Sequence, residues 1–398
     1  MVPGDRAHLW TRCRGPSHTS PDWSPAGSRA VREPSGQYGV PVRLGLNLGY
    51  WGMGNDVDNL ALARRADELG FAVVWAAEAY GSDAPTVLAY LAAQTTRVDL
   101  GTAVMQIPAR SPALTAMTAA TLDALSGGRF RLGLGVSGPQ VSEGWHGVRF
   151  ERPLGRTREY VDIVRMALAR QRVRYDGAHY QLPLPDGPGK ALSLTVHPTR
   201  TDLPIYLAAV GPKNLELAGE IADGWLAIFY SPEAAAEQLA HVRAGRERAE
   251  RSTTDAAHSP SADFDIVTST PIVVGDDVEA CAAPVRAYAA LYLGGMGSRD
   301  RNFYHAQATR MGYGDAADEV QRRYLSRDHD GAAAAVPTEF IDHTALLGPP
   351  SRIAERMHAF AESGVTTLSV IPHARTREDR LTALEVAATA LQQSGVSA

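Results

Sequence analysis

The stretch RFRLGLGVSGPQ, residues 129–140, carries Gly-x-Gly-x-x-Gly at Gly133, Gly135 and Gly138. In a doubly wound dinucleotide-binding fold, such glycines end the first strand and open a helix over a pyrophosphate. An acidic residue follows about 20 positions on, at the end of the next strand. Here PQVSEGWHGVRFERPLG follows instead. Pro139, Gly144, Gly147 and Pro153 predict a loop there, and Glu151 ends no strand. The glycines also fall on the fourth strand-like segment of the chain, not the first. The dinucleotide-fold reading therefore fails. Gly133 and Gly135 become strand glycines of another fold, where a missing side chain admits a ligand or a neighbouring backbone, or relieves crowding in a core.

Working outward, apolar runs and helix-period runs alternate along the chain. The strand-like runs are 42–47, 71–78, 98–104, 130–136, 204–210, 224–229, 264–274 and 365–371. They are too continuously apolar for one wet face, as expected of buried parallel strands. Helices are predicted between them, among them 56–70, 84–95 and 155–170, and one that opens at Ser111-Pro112 with an N-cap followed by proline. It stops at Ser126-Gly127-Gly128. Eight strands joined by helices through right-handed crossovers predict an α/β fold, a (β/α)8 TIM barrel with insertions. The insertions fall at 137–154, at 173–200, where 173–196 reads as a hairpin, and at 295–340, where 295–335 is polar and Gly-rich. Gly138 and Pro139 would then open a loop on the C-terminal face, where barrels place their sites.

The chain has 398 residues, of which 44% are hydrophobic and 21% charged, with a net charge of −5. That is ordinary globular composition and gives no drive towards nucleic acid or anionic membrane. The cysteines, Cys13 and Cys281, are too few and too far apart for a disulfide framework or a cysteine metal site, and suit a reducing, cytoplasmic setting. No strand-end cluster suggests a metal. Residues 1–41, rich in Pro, Gly, Ser and Arg, read as a disordered N-terminal extension or an upstream start. Residues 42–398 read as the barrel domain.

LGTAVMQIPARSPALTAMTAATLDALSGGRFRLGLGVSG (100–138) resembles the luciferase-like family, and within it the branch that uses coenzyme F420, an 8-hydroxy-5-deazaflavin. IYLAAVGPKNLELAG (205–219), GEIADGWLAIFYSPE (219–233) and LLGPPSRIAERMHAFAESGVTTLSV (346–370) resemble it too. The resemblance runs from about 42 to 395. It implies a bacterial luciferase-like barrel, coenzyme F420 or alternatively FMN as cofactor, a small-molecule substrate and a homodimer.

By resemblance, Gly101-Thr102-Ala103-Val104 holds a non-proline cis peptide at Ala103-Val104, whose bulge supports the cofactor's central ring. By the same resemblance the turn with Ala209, Gly211, Pro212 and Lys213 receives the cofactor phosphate. A helix opening there points free N–H groups and its positive end at an anion, and Gly211 permits an unusual backbone. Arg156 and Tyr160, one helical turn apart, reach for a phosphate or the acidic tail of the coenzyme. Gln106, Ser137 and Gly138 complete the cofactor set, and Trp51 is a further pocket residue.

The catalytic group is open. Some F420 enzymes of the family carry Asp-His at the end of strand 2 and Glu after strand 4. This chain has Glu78 without the histidine, then Ala79 and Tyr80, and Ser137-Gly138-Pro139 after strand 4. Glu78, Tyr80 and His146 are the candidates. A deazaflavin moves hydride and its reactive carbon disfavours oxygen activation, so the expected activity is a two-electron F420-dependent oxidoreductase. The alternatives are an FMN-dependent monooxygenase and a non-catalytic cofactor-binding barrel.

Overall fold

The computed structural model describes residues 41–52, 56–200, 202–251, 264–297 and 302–397. The expected N-terminal extension lies, but for residue 41, outside the described residues.

Eight parallel strands close on one another. They are β1 (Arg43–Asn47), β2 (Val73–Ala76), β3 (Asp99–Thr102), β4 (Phe130–Gly135), β5 (Ile205–Ala208), β6 (Gly224–Ile228), β7 (Asp265–Val274) and β8 (Thr367–Pro372). Each pairs with the next, and β8 pairs with β1 from Arg43↔Thr367 to Leu46↔Val370. The barrel read from the alternation of segments is the fold of the chain, and each strand lies where an apolar run predicts it.

Helices form the outer layer: α1 (Asp56–Glu68), α2 (Ala84–Ala92), α3 (Pro112–Leu125), α4 (Pro153–Leu168), α5 (Pro212–Ile221), α6 (Ala235–Arg251), α7 (Pro350–Glu362) and α8 (Arg377–Gln393). Helix α3 starts as expected, with the Ser111 side chain accepting from the Leu114 N–H at 3.2 Å and Pro112 in the first turn. It ends at Gly127 and Gly128, whose φ of +67° and +86° only glycine adopts without strain. The apolar faces of these helices and the outward strand residues form the main core.

The barrel floor is ionic. Arg131 donates to Asp99 at 2.9 Å, to the Tyr206 hydroxyl at 2.9 Å and to Asp265 at 3.2 Å. Burial alone would raise the Asp265 carboxyl, but the guanidiniums of Arg43 and Arg131 and the hydroxyls of Thr366 and Thr367 hold it below the usual range. Above the floor Val73, Trp75, Tyr206, Leu226 and Val267 fill the barrel, with the Trp75 and Tyr206 rings crossed edge to face at 5.3 Å.

Three expectations need correction. The segment after Gly138 is a short helix, Pro139–Gly144, not a loop: Pro139 suits a first turn, and the Ser142 N–H bonds the Gly138 carbonyl at 2.9 Å. It is one turn in a closed barrel, so the dinucleotide reading stays rejected. The hairpin of 173–196 shrinks to Tyr175–Asp176 against Gln181–Leu182. Its turn is held instead by Glu159 of α4, which accepts from the N–H groups of Ala178, His179 and Tyr180. Finally, the polar 295–335 segment is largely helical where described: Phe303–Arg310, Gly314–Leu325 and His329–Ala334, followed by Thr338–Thr344. Asn302 and Asp328 cap two of these helices. Their buried Ala308, Ala317, Val320 and Ala332 join Phe229, Val285 and Phe340 in a second core, and the polar residues form its wet face.

Candidate active site

The C-terminal ends of the strands form a mouth with two contrasting sides. On the first side, the Ala103-Val104 peptide is cis, as the resemblance implies. The chain leaves β3 there and resumes pairing as Met105–Gln106 beside Leu134 and Gly135. The opening glycines explain how this fits. A Cβ on Gly133 would lie 1.8 Å from the Thr102 carbonyl oxygen, and one on Gly135 would lie 2.6 Å from Val104 Cγ2. Gly133 admits a neighbouring backbone and Gly135 admits the Val104 side chain. Thr102 Oγ1 clasps the contact, donating to the Gly133 carbonyl at 2.7 Å and accepting from its N–H at 2.8 Å.

Glu78 lies beside the bulge, buried, and its carboxylate is fully engaged. It accepts from the N–H of Gln106 at 2.9 Å, from the N–H of Ala84 at 3.1 Å, and from both terminal nitrogens of Arg110. A guanidinium and two amides thus occupy both carboxylate oxygens. Its place is that of an anchor for the segment after β3 rather than a proton donor. Gln106 Nε2 donates to Ser137 Oγ at 2.6 Å, and its Oε1 meets His146 Nε2 at 2.9 Å. His146, a loop histidine with no assigned partner in sequence, thus ends a chain of polar contacts that starts at Ser137. Ser137 has φ +59°, and Gly138 precedes the short helix. Tyr80 projects into solvent, 62% exposed. Trp51 meets Tyr90 edge to face at 6.0 Å.

Strand β5 ends at the expected anion turn. Gly211 stands before α5 with no side-chain cap, Pro212 opens the helix, and Lys213 is 80% exposed with Glu216 3.7 Å away. Gly211 has φ −86°, ordinary extended backbone, so the conformational freedom that glycine permits is not used here. What the missing side chain provides is space, since a Cβ there would meet nothing within 4 Å. The Ala209 carbonyl accepts from Trp225 Nε1 at 2.9 Å, which fixes the turn from beneath. These features fit a phosphate-bearing cofactor. Deep in the barrel, Trp75 Nε1 and Ser369 Oγ are buried without a partner, so the interior also retains polar atoms the protein does not satisfy.

Arg156 and Tyr160 do not act together. Tyr160 is completely buried, its hydroxyl bonded to Thr115 and to the Arg110 carbonyl. One turn earlier on α4, Arg156 lies at the surface and donates to the Arg149 carbonyl at 2.9 Å. Spacing on a helix face puts residues side by side, but α4 dips into the core between them, which the spacing does not reveal.

The second side of the mouth escaped the sequence reading. At the ends of β1, β6 and β8 stand Tyr50, Phe229 and His373, and the helix Val278–Ala290, continuing through 291–295, adds Tyr288 and Tyr292. Tyr304 comes from the next helix. Ring centroids are 4.9 Å apart for Tyr288–Tyr292 and for Tyr292–Tyr304, and 5.3 Å for Tyr288–His373. Gln307 pins the insertion to the barrel, its Nε2 donating to the carbonyls of Ile228 and Phe229 at 3.0 Å each. Burial pushes the phenols up, Tyr304 to about 12, and drives His373 down to about 4 with help from Arg380. Apart from Tyr288 and Tyr292, one helical turn apart, rings drawn from position 50 to position 373 carry no spacing that would have grouped them.

Among the described residues no cluster of His, Cys, Asp or Glu suits a metal, and no helix is long and apolar enough to cross a membrane.

A coenzyme F420-dependent oxidoreductase, as it is assigned, of Mycobacterium tuberculosis is 46% identical over 334 residues, 83% of this chain and 94% of the relative. A 5,10-methylenetetrahydromethanopterin reductase of Archaeoglobus fulgidus is 30% identical over 304 residues, 76% of this chain and 85% of that one. The solved structure of a coenzyme F420-dependent tetrahydromethanopterin reductase from Methanopyrus kandleri superposes with a TM-score of 0.73 at 22% identity. The match covers 89% of this chain and 99% of that one, and shows the shared fold. The family model for luciferase-like monooxygenases matches residues 54–367, so the chain belongs to the luciferase-like monooxygenase family.

Proposed function

We propose that the protein is a coenzyme F420-dependent oxidoreductase acting on a small organic molecule. The observation that carries this reading is the 46% identity spanning 94% of a relative assigned to that activity. The geometry supports it: a cis-peptide bulge and an open anion turn face the same mouth. When bound, the deazaflavin supplies two electrons as hydride at a ring carbon. The chain's own part is to bind and orient. Ala103 and Val104 back the ring, Gly211, Pro212 and Lys213 take the phosphate, and Gln106, Ser137 and Gly138 hold the rim between them. Arg156 is retained as a surface cation for the acidic tail, whereas the burial of Tyr160 removes it from that role.

The reading is tested by turnover of the reduced coenzyme with candidate acceptors under argon and under air. An oxidoreductase runs equally in both. Oxygen-dependent turnover would favour the FMN-type monooxygenase, and binding without turnover of any acceptor would favour the non-catalytic barrel. A cytoplasmic homodimer completes the proposal. Its support is a row of exposed apolar side chains, Tyr90 on α2 and Leu114, Met117 and Leu125 on α3. Light scattering at one monomer mass would remove it.

A further inference from the structure

Resting on that reading, a narrower inference concerns the substrate. Tyr50, Tyr288, Tyr292, Tyr304 and His373 each keep part of their surface accessible, although protein surrounds most of each ring. That combination describes a recess rather than a core. Burial and neighbouring tyrosines are what push these four hydroxyls up. Arg380, the charge acting on His373, is itself occupied: it donates to the Ala374 carbonyl at 3.0 Å and lies 3.8 Å from Asp58. Within this ring of aromatic side chains His373 Nε2 is buried and has no hydrogen-bond partner. An orphaned ring nitrogen against an aromatic wall is costly unless a ligand completes it.

We propose that this recess is the substrate subsite and that it selects an uncharged, flat, largely apolar molecule whose one carbonyl or hydroxyl bonds His373 Nε2. Tyrosine faces supply apolar contact area without charge. An anionic substrate placed there would be desolvated, and Arg380, the cation acting on His373, is already engaged by the Ala374 carbonyl and Asp58. The neutral imidazole suits a neutral oxygen, as donor to a carbonyl or acceptor from a hydroxyl.

The test uses three probes of one shape: 2-acetylnaphthalene, 2-naphthoate and 2-ethylnaphthalene. Their affinities are measured by equilibrium dialysis on the full chain, with and without coenzyme F420, so that failure of the cofactor reading and failure of this one stay distinct. The ketone should bind at least tenfold tighter than the carboxylate. Residues 298–301 include Arg299 and Arg301 and lie outside the described residues; a positive charge brought from there would show as equal or tighter binding of the carboxylate, and would overturn the proposal. His373→Phe and His373→Gln are both made, so that a folding defect in one leaves the other to decide. The Phe variant should weaken the ketone about fivefold and leave 2-ethylnaphthalene unchanged, and the Gln variant, which restores a polar end, should recover part of the loss. Equal losses for both probes would show that His373 only packs.

Discussion

The two sides of the mouth are built on opposite principles. Around β2 to β5 the polar groups are spent on the protein: Glu78 on Arg110 and two amides, Gln106 on Ser137 and His146, Thr102 on Gly133. Around β6 to β8 the wall is aromatic and carries an orphaned imidazole nitrogen. The first side is braced internally and leaves the anion turn at Gly211 open. The second is an insertion pinned at Gln307 and held by ring contacts. A braced side suits a constant cofactor, and an inserted one suits a substrate that varies between relatives.

Substitutions can break this contrast. The largest effect is expected at Gly133. Gly133→Val would set a side chain on the Thr102 carbonyl, a backbone atom that cannot swing away, and overpacking of this kind costs about 3 kcal/mol or more. The measurement is the yield of soluble protein and its urea midpoint. At Gly211 an added Cβ meets nothing within 4 Å and the backbone needs no strain, so Gly211→Val should lose no more than the small cost of a poorer helix cap and yet bind coenzyme poorly. If both glycines give the same phenotype, the contrast between a structural and a ligand-facing glycine is wrong.

Next is Arg110→Met, which strands the buried Glu78 carboxylate. Breaking a buried pair from one side costs about 3–5 kcal/mol, and here the figure belongs at the lower end because two amides remain. Equilibrium unfolding reads it directly. A loss below about 1 kcal/mol would mean that Arg110 and Glu78 behave as a solvated pair and brace little.

The second side is sharpened by pH. His373 titrates at about 4 in the folded chain against about 6.5 unfolded, so between those values the unfolded chain binds more protons. Stability is therefore complete above about 6.5 and falls as pH drops towards 4. His373→Gln should flatten that part of the curve, and an unchanged curve would show that the imidazole is not buried neutral. Smaller still, Lys213→Ala should weaken coenzyme binding about tenfold, near 1.4 kcal/mol, because the helix end and its amides stay. Equal affinity at low salt would remove Lys213 from the phosphate site.

The first side was largely legible, because its devices are local. Ser111-Pro112 announces a helix start, Ser126-Gly127-Gly128 its end, and the run from Gly101 to Gly138 holds together the bulge and the glycines that admit it. The strands were legible because apolar runs in a parallel barrel are continuous. What was missed needed tertiary information. Tyr160 shares a helix face with Arg156 yet sits in the core, Gly211 offers space rather than an unusual φ, and Glu78 is occupied by an arginine 32 positions away. The aromatic side was invisible because Tyr50, Phe229, Tyr288, Tyr304 and His373 meet only after the barrel closes and the insertion folds back over it.

The central claim is the choice of cofactor, and the most direct measurement is a head-to-head titration of the purified protein with coenzyme F420 and FMN, followed by intrinsic tryptophan fluorescence. Both ligands carry a phosphate, so phosphate recognition as such does not separate them and the ring, the tail and the phosphate's substitution decide the difference. The account predicts that coenzyme F420 binds at least tenfold more tightly. Equal affinities, or a preference for FMN, would contradict it.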